Sequence, residues 1–275
     1  MRVPARVRIE ALARSATVWA IASAALLPLW LIVKQAVTPD RESFAWPPTL
    51  VPHEPTLASF AVLAGTTELA DGFLLSFGVA LATVAAALAI ALPAAWLAAR
   101  DAVHDRRLEI LVLLARVFPA IAVAVPLAVT FVRVGLYNDR LASGLWLAHT
   151  LLALPVAFLV LRAGFRAVPR ELEEAALLDG ARPLRVFLRV TLPLVRPQLA
   201  TAALLVFLAS WDELTYALLL QVTNRTVPPL LYYLSAFGFP ALSSAVAVVM
   251  LLPALALLGF LQRAFRAGLL SGSGR

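Results

Sequence analysis

The sequence predicts an all-α polytopic membrane protein: six transmembrane helices, both termini on the cytoplasmic side, and a long structured loop between the fourth and fifth spans. Three observations carry this. The first is composition. The chain has 275 residues, 62% hydrophobic and 14% charged, with mean hydropathy +0.89. Soluble domains run at about 45–50% apolar and about 25% charged, so a soluble or disordered chain is excluded. The second is the presence of six apolar stretches long enough to cross a bilayer: 16–33, 73–98, 110–132, 141–161, 199–220 and 242–261. They are apolar all round rather than alternating, which favours helices over a barrel. The third is the distribution of basic residues. With the N-terminus inside, segments 1–15, 99–109, 162–198 and 262–275 hold 17 of them, while 34–72, 133–140 and 221–241 hold 5. That asymmetry sets the orientation as N-in, C-in. The whole of 1–275 reads as one membrane domain.

The first span follows four arginines and resembles a secretory signal. Its apolar run is long for one, contains Pro28 and ends in Trp30-Leu31-Ile32-Val33-Lys34 without an Ala-x-Ala site, so an uncleaved span is expected. The following outer segment, 34–72, is stiffened by Pro39, Pro47, Pro48, Pro52 and Pro55. Phe44 and Trp46 beside these prolines suit either a partner contact or the interfacial aromatic belt. Later spans carry Pro93, Pro119 with Pro126, Pro155 and Pro253. In a bundle, neighbouring helices satisfy the freed carbonyls, so kinked spans are expected.

Function classes are excluded by what the chain lacks. There is no cysteine, which removes disulfides, thiolate metal sites and a cysteine nucleophile. Lys34 is the only lysine and follows Val33, so no Gly-Lys-Ser/Thr phosphate loop exists and the chain has no such ATPase site. Neither His-Glu-x-x-His nor Gly-x-Ser-x-Gly occurs, which leaves an intramembrane protease without a catalytic set. The net charge of +7 is absorbed by topology and needs no nucleic acid.

The 162–198 loop is patterned. Pro169 starts a short helix with Glu171, Glu173 and Glu174 near its positive end. Gly180, after Asp179, is placed for a left-handed cap. Pro183 opens a second short helix with Arg185, continuing to Arg189. The alanines Ala175 and Ala176 keep one stretch thin enough to enter a groove of another protein. The same spacing also suits a solvated amphipathic loop.

Within this loop Glu174-Ala175-Ala176, then Gly180 after three residues, then Val190-Thr191-Leu192-Pro193 after nine more, resembles the E-A-A-x3-G-x9-I-x-L-P signature of the membrane subunits of binding-protein-dependent ABC importers. Val190 stands where the signature has Ile. Further likeness, from Trp46 to Ser271, is to the six-span member of the maltose-type carbohydrate permeases. It lies in Arg116-Val117-Phe118-Pro119, Gly135-Leu136-Tyr137-Asn138-Asp139, Trp211-Asp212-Glu213 and the Gln262-Arg263 tail. Asp212 departs from the Asn usual in that group.

The resemblance implies a multi-pass permease of a bacterial or archaeal cytoplasmic membrane. Its expected partners are a second permease subunit, two ATPase subunits and an extracytoplasmic solute-binding protein, with ATP-Mg on the partner subunits and no cofactor on this chain. The 162–198 loop becomes the cytoplasmic coupling helix, with Glu174, Ala175, Ala176, Asp179, Gly180, Leu192 and Pro193 as ATPase-coupling residues. Asn224, Arg225 and Tyr232 in the last outer loop become binding-protein contacts. The solute expected is a carbohydrate. The alternatives are a non-sugar solute (a polyamine, a metal or glycerol phosphate) and, from another class, an ion-driven carrier, which the absence of paired repeats and of midplane broken helices from the sequence pattern disfavours.

Charges at membrane depth usually face a bundle interior or a cavity. In a continuous fifth helix Asp212 lies roughly 20 Å from the inner end, and Arg116 roughly 9 Å into the third. Arg116 then snorkels or caps carbonyls near Pro119. Asp212 and Tyr216, four residues apart, share a helical face with Trp211 alongside. That stripe suits a hydroxyl-rich solute, or else binds a neighbouring helix. His149 is expected to make an interhelical hydrogen bond.

Overall fold

The computed structural model describes residues 5–272, with side chains placed for 14–101, 106–260 and 262–263. All regular structure among these residues is helical. In order, the elements are α1 Ala5–Ala36, α2 Asp40–Ser43, α3 Ala58–Gly65, α4 Thr67–Arg100, α5 Ala102–Ala115, α6 Ala120–Val134 and α7 Ser143–Arg166. They continue with α8 Arg170–Leu178, α9 Pro183–Val186, a π-helical turn Phe187–Thr191, α10 Leu192–Leu194, α11 Arg196–Trp211, α12 Thr215–Leu220, α13 Val227–Ala236 and α14 Pro240–Gly272. The chain packs as two compact units, 1–67 with 231–251 and 68–230 with 252–275.

Four stretches are unbroken helices of spanning length: Arg14–Ala36, Thr67–Arg100, Ser143–Arg166 and Pro240–Phe260. Two more apolar segments are bent pairs, Arg106–Ala115 with Ala120–Val134 at 88° and Pro183–Leu194 with Arg196–Trp211 at 79°. Counting each pair once gives six, although the second pair takes in 183–194 of the expected coupling loop and ends at Trp211, short of the expected 220. Pro28, Pro93, Pro155 and Pro253 all lie inside continuous helices.

Two spans differ from expectation. The third is not one helix over 110–132. It breaks at Arg116–Pro119, and Pro119 precedes α6 with extended backbone (ψ 138°). Proline lacks the N–H needed for the ladder, and here it starts a helix rather than kinking one. Arg116 therefore sits exposed in a turn and not within a spanning helix. The fifth span is not continuous over 199–220 either: it stops at Trp211 and resumes at Thr215.

In the larger unit, small residues let the helices approach closely. Ala87, Ala91, Ala95 and Ala98 form one stripe of α4, buried with Ala153, Ala157, Phe158, Leu161 and Phe165 of α7 and Ala202 and Val206 of α11. Such stripes suit packing in lipid, where apolar burial gives helices no mutual preference. Gly164 marks a tight crossing: a Cβ there would lie 2.7 Å from Gln198 Cγ and 2.8 Å from its Cβ. A second cluster joins Val79, Ala124, Phe131, Leu145, Ala148, Tyr216 and Leu220.

In the smaller unit, the 37–57 segment is held by its own polar groups. Glu42 accepts from Thr49 Oγ1 and from the His53 amide, each at 3.0 Å. Arg41 pairs with Glu54. Trp30 Nε1 donates to the Leu50 carbonyl at 3.2 Å. Phe44 and Trp46 are left exposed, Trp46 at 89%.

Candidate functional site

The patterned loop folds as its local signals dictate. Pro169 (φ −57°, ψ 132°) precedes α8 and Glu171 and Glu173 lie in its first turn. Asp179 ends α8, and Gly180 follows with φ +81°. The Gly180 amide donates to the Leu177 carbonyl and the Ala181 amide to Ala176, each at 3.0 Å. This is the paired 5→2 and 6→1 closure of a Schellman motif, which needs a left-handed residue at Gly180. Pro183 then opens α9, and the chain passes through the π turn before bending at Val195 into α11.

Burial sorts the signature residues. Glu174, Ala175, Asp179 and Gly180 are exposed and Ala176 half-buried. Leu178 is 89% exposed and Leu184 67%, so α8 and α9 offer uncovered apolar tips beside a carboxylate. Leu192 and Pro193 are half-buried, and Leu192 packs on the α4–α7–α11 core.

The residue that sequence reasoning missed is Glu173, adjacent to Glu174 but buried. Arg100, the last residue of α4, donates Nε to Glu173 Oε2 at 2.9 Å and Nη2 to Oε1 at 2.7 Å. Thr191 Oγ1 adds a bond at 2.7 Å and Trp96 Nε1 one at 3.3 Å. Burial pushes the Glu173 carboxyl up, but the bonds from Arg100, Thr191 and Trp96 outweigh it and hold the group below its ordinary value. Trp96 and Arg100, four residues apart on one face of α4, were the available signal.

The break in the fifth span has its own polar core. Glu213 Oε1 accepts from the Thr215 amide at 2.9 Å, and Oε2 from the Tyr216 amide at 2.8 Å and the Ala217 amide at 3.3 Å. A carboxylate thus satisfies the orphan N–H groups that open α12. His149 Nε2 lies 3.3 Å from Glu213 Oε2, without hydrogen-bond alignment. His149 Nδ1 pairs with Ser210 Oγ at 2.7 Å, making the expected α7–α11 link.

The expected stripe of Trp211, Asp212 and Tyr216 is not formed, because the helix ends between its members. Trp211 is buried against Phe207 (ring centroids 5.6 Å, stacked), Phe77 and Phe73. Tyr216 is buried beside His149. Only Asp212 is exposed.

The Gly135–Asp139 turn clamps the segment after α12. Asn138, in the left-handed region at φ 53°, accepts from the Val222 amide at 2.8 Å and the Thr223 amide at 3.0 Å. Gln221 Nε2 donates to the Asp139 carbonyl at 3.0 Å. Asn224 is exposed, with its amide 3.5 Å from the Arg140 carbonyl. Arg225 is half-buried, and Tyr232 is exposed on α13.

The sulfoquinovosyl glycerol transport system permease protein of Agrobacterium fabrum is 33% identical over 248 residues, 89% of this chain and 86% of that protein. The trehalose transport system permease protein of Mycobacterium tuberculosis is 41% identical over 127 residues, 44% of this chain and 46% of that one. The fold matches a chain in the crystal structure of a bacterial ABC transporter involved in import of the acidic polysaccharide alginate. The TM-score is 0.76 at 18% identity, with 96% of this chain and 99% of that chain covered. The family model described as "Binding-protein-dependent transport system inner membrane component" matches residues 87–270. The chain therefore belongs to the family of inner-membrane components of binding-protein-dependent transport systems.

Proposed function

We propose that the chain is the permease subunit of an ATP-driven importer for a carbohydrate delivered by an extracytoplasmic binding protein. The observation that carries this reading is the signature segment. It holds Glu174, Ala175, Asp179 and Gly180 exposed beside uncovered Leu178 and Leu184, while Glu173 is locked inward. A surface of apolar tips ringed by charge, at the polar end of a bundle, fits a cleft on a partner protein better than lipid or water. Glu174 is the charge for a basic partner group, and Ala175 and Ala176 allow close approach. The ATPase subunits hold ATP-Mg, a sister permease completes the passage, and the basic-residue asymmetry puts this segment and both termini in the cytoplasm. Relatives named for trehalose and sulfoquinovosyl glycerol transport support a sugar as solute. Asp212, at the open break of the fifth span, is the group offered to the solute's hydroxyls. Asn224, Arg225 and Tyr232 are offered to the binding protein.

The test is reconstitution in proteoliposomes with the ATPase, a sister permease and a binding protein. ATP-dependent uptake of a labelled disaccharide, absent with Glu174→Lys, is expected. Uptake of spermidine but no sugar would overturn the solute assignment. Uptake driven by an ion gradient without ATP would overturn the class.

A further inference from the structure

Between its two ends the signature segment is tied to the bundle by the packing of Phe187 on Trp96 and Phe165 and by a cluster of polar side chains. Arg100 grips Glu173 with two parallel bonds, at 2.9 and 2.7 Å, and donates Nη1 to the Phe165 carbonyl near the end of α7 at 3.0 Å. Thr191 reaches the same carboxylate from the π turn. Arg170, the first residue of α8, donates back to the Arg100 carbonyl at 3.1 Å. Four separate pieces of chain thus meet at one buried ion pair: the ends of α4 and α7, the helix α8 and the return turn. The Glu173 and Arg100 side chains are 10% and 18% exposed.

We propose that Arg100, Glu173 and Thr191 are positioning residues that make α8 move as one body with the ends of α4 and α7. The inference rests on the reading of α8 as the ATPase contact. A paired arginine fork resists rotation as well as separation, and partial burial strengthens it. A push on α8 then reaches the spans. Without the latch, the chain bends at Pro169 and at Val195, and the push is absorbed in the loop. Neighbouring carboxylates divide the work: Glu174 faces the partner, Glu173 faces the bundle.

The chain has no cysteine, so spin labels go cleanly on cysteines placed at Leu97 and Leu172, both exposed and neither in the proposed ATPase contact. The sample is the full complex with its ATPase, measured without nucleotide and with ATP. The parent is expected to give a single narrow distance in each state. Glu173→Gln and Arg100→Gln are expected to broaden it and to lower the solute moved per ATP. Thr191→Val keeps the side-chain shape and removes one bond. It is expected to broaden the distance less, and it serves if the charged variants do not assemble. A Glu173→Gln or Thr191→Val distribution identical to the parent's overturns the latch, whatever solute is carried. An ATPase that never binds the parent chain overturns instead the reading of α8 as its contact.

Discussion

Replacing Glu213 tests whether the break in the fifth span is built by its side chain. Glu213 is nearly fully buried, and its carboxylate accepts two well-formed bonds, from the Thr215 and Tyr216 amides, and a longer one from Ala217. Hydrogen bonds to charged groups contribute about 1.5–3 kcal/mol each, so Glu213→Ala is expected to cost at least about 3 kcal/mol from the two short bonds. Glu213→Gln keeps one acceptor oxygen and should cost about half as much. The assay is hydrogen exchange of purified chain in detergent, read at 215–217. Since about 1.4 kcal/mol is tenfold, Glu213→Ala should speed exchange there by more than about 100-fold, while the α7 interior changes little. Unchanged protection at 215–217 would refute the capping role, and α12 would then owe its start to the packing of Tyr216 alone.

Four further outcomes follow from other parts of the structure. Gly164→Ala places a Cβ 2.7 Å from Gln198 Cγ and should cost about 1–3 kcal/mol of overpacking, seen as a lower unfolding midpoint; an unchanged midpoint refutes the tight crossing. Gly180→Val puts a β-branched residue at φ +81°, at about 1–2 kcal/mol or more, and should weaken ATPase binding; parental binding refutes the need for this cap. Single cysteines at Val51 and Asn224, but not at Arg182, should react with an impermeant thiol reagent in intact cells; labelling of Arg182 alone refutes the orientation. The Glu173 pKa is held below its ordinary 4.5, so its contribution is complete above that value and fades as pH falls through the lower folded-state value. The spin-label distance should therefore stay narrow at about pH 5 and broaden only in stronger acid; broadening already at about pH 6 would show that the carboxylate is not held this way.

Where the signals were local, the fold was legible. Pro169, the early acids of α8, Asp179-Gly180 and Pro183 each act within a turn or two of chain, and each folds as its own chemistry requires. The orientation of α8 was not legible in the same way. Glu173 and Glu174 differ by one 100° step, and nothing in their neighbourhood says which faces the bundle. That is decided by Arg100 and Trp96, more than seventy positions earlier, and Arg100 read in the sequence as one more cytoplasmic charge. Distance along the chain, not weakness of the interaction, hid it.

The two broken spans show a second reason. Apolar length identifies a segment that belongs in the bilayer, but it is silent on whether the helix continues. Continuation is settled by what happens to the N–H and C=O groups at a break, since lipid satisfies neither. At Pro119 one donor is already missing, so starting a new helix there leaves one fewer group unsatisfied. At Asp212–Leu214 the freed amides find Glu213, and the same charge that looked costly inside a continuous helix is what permits the gap. Trp211 and Tyr216 then fall on opposite sides of that gap and turn to separate packing partners, which is why the stripe expected from a steady helical pitch is absent. Asp212 is left at the gap itself, at the end of α11 and uncovered. A buried Glu213 that builds the opening and an exposed Asp212 that stands in it are two different roles for adjacent carboxylates, as Glu173 and Glu174 are on α8.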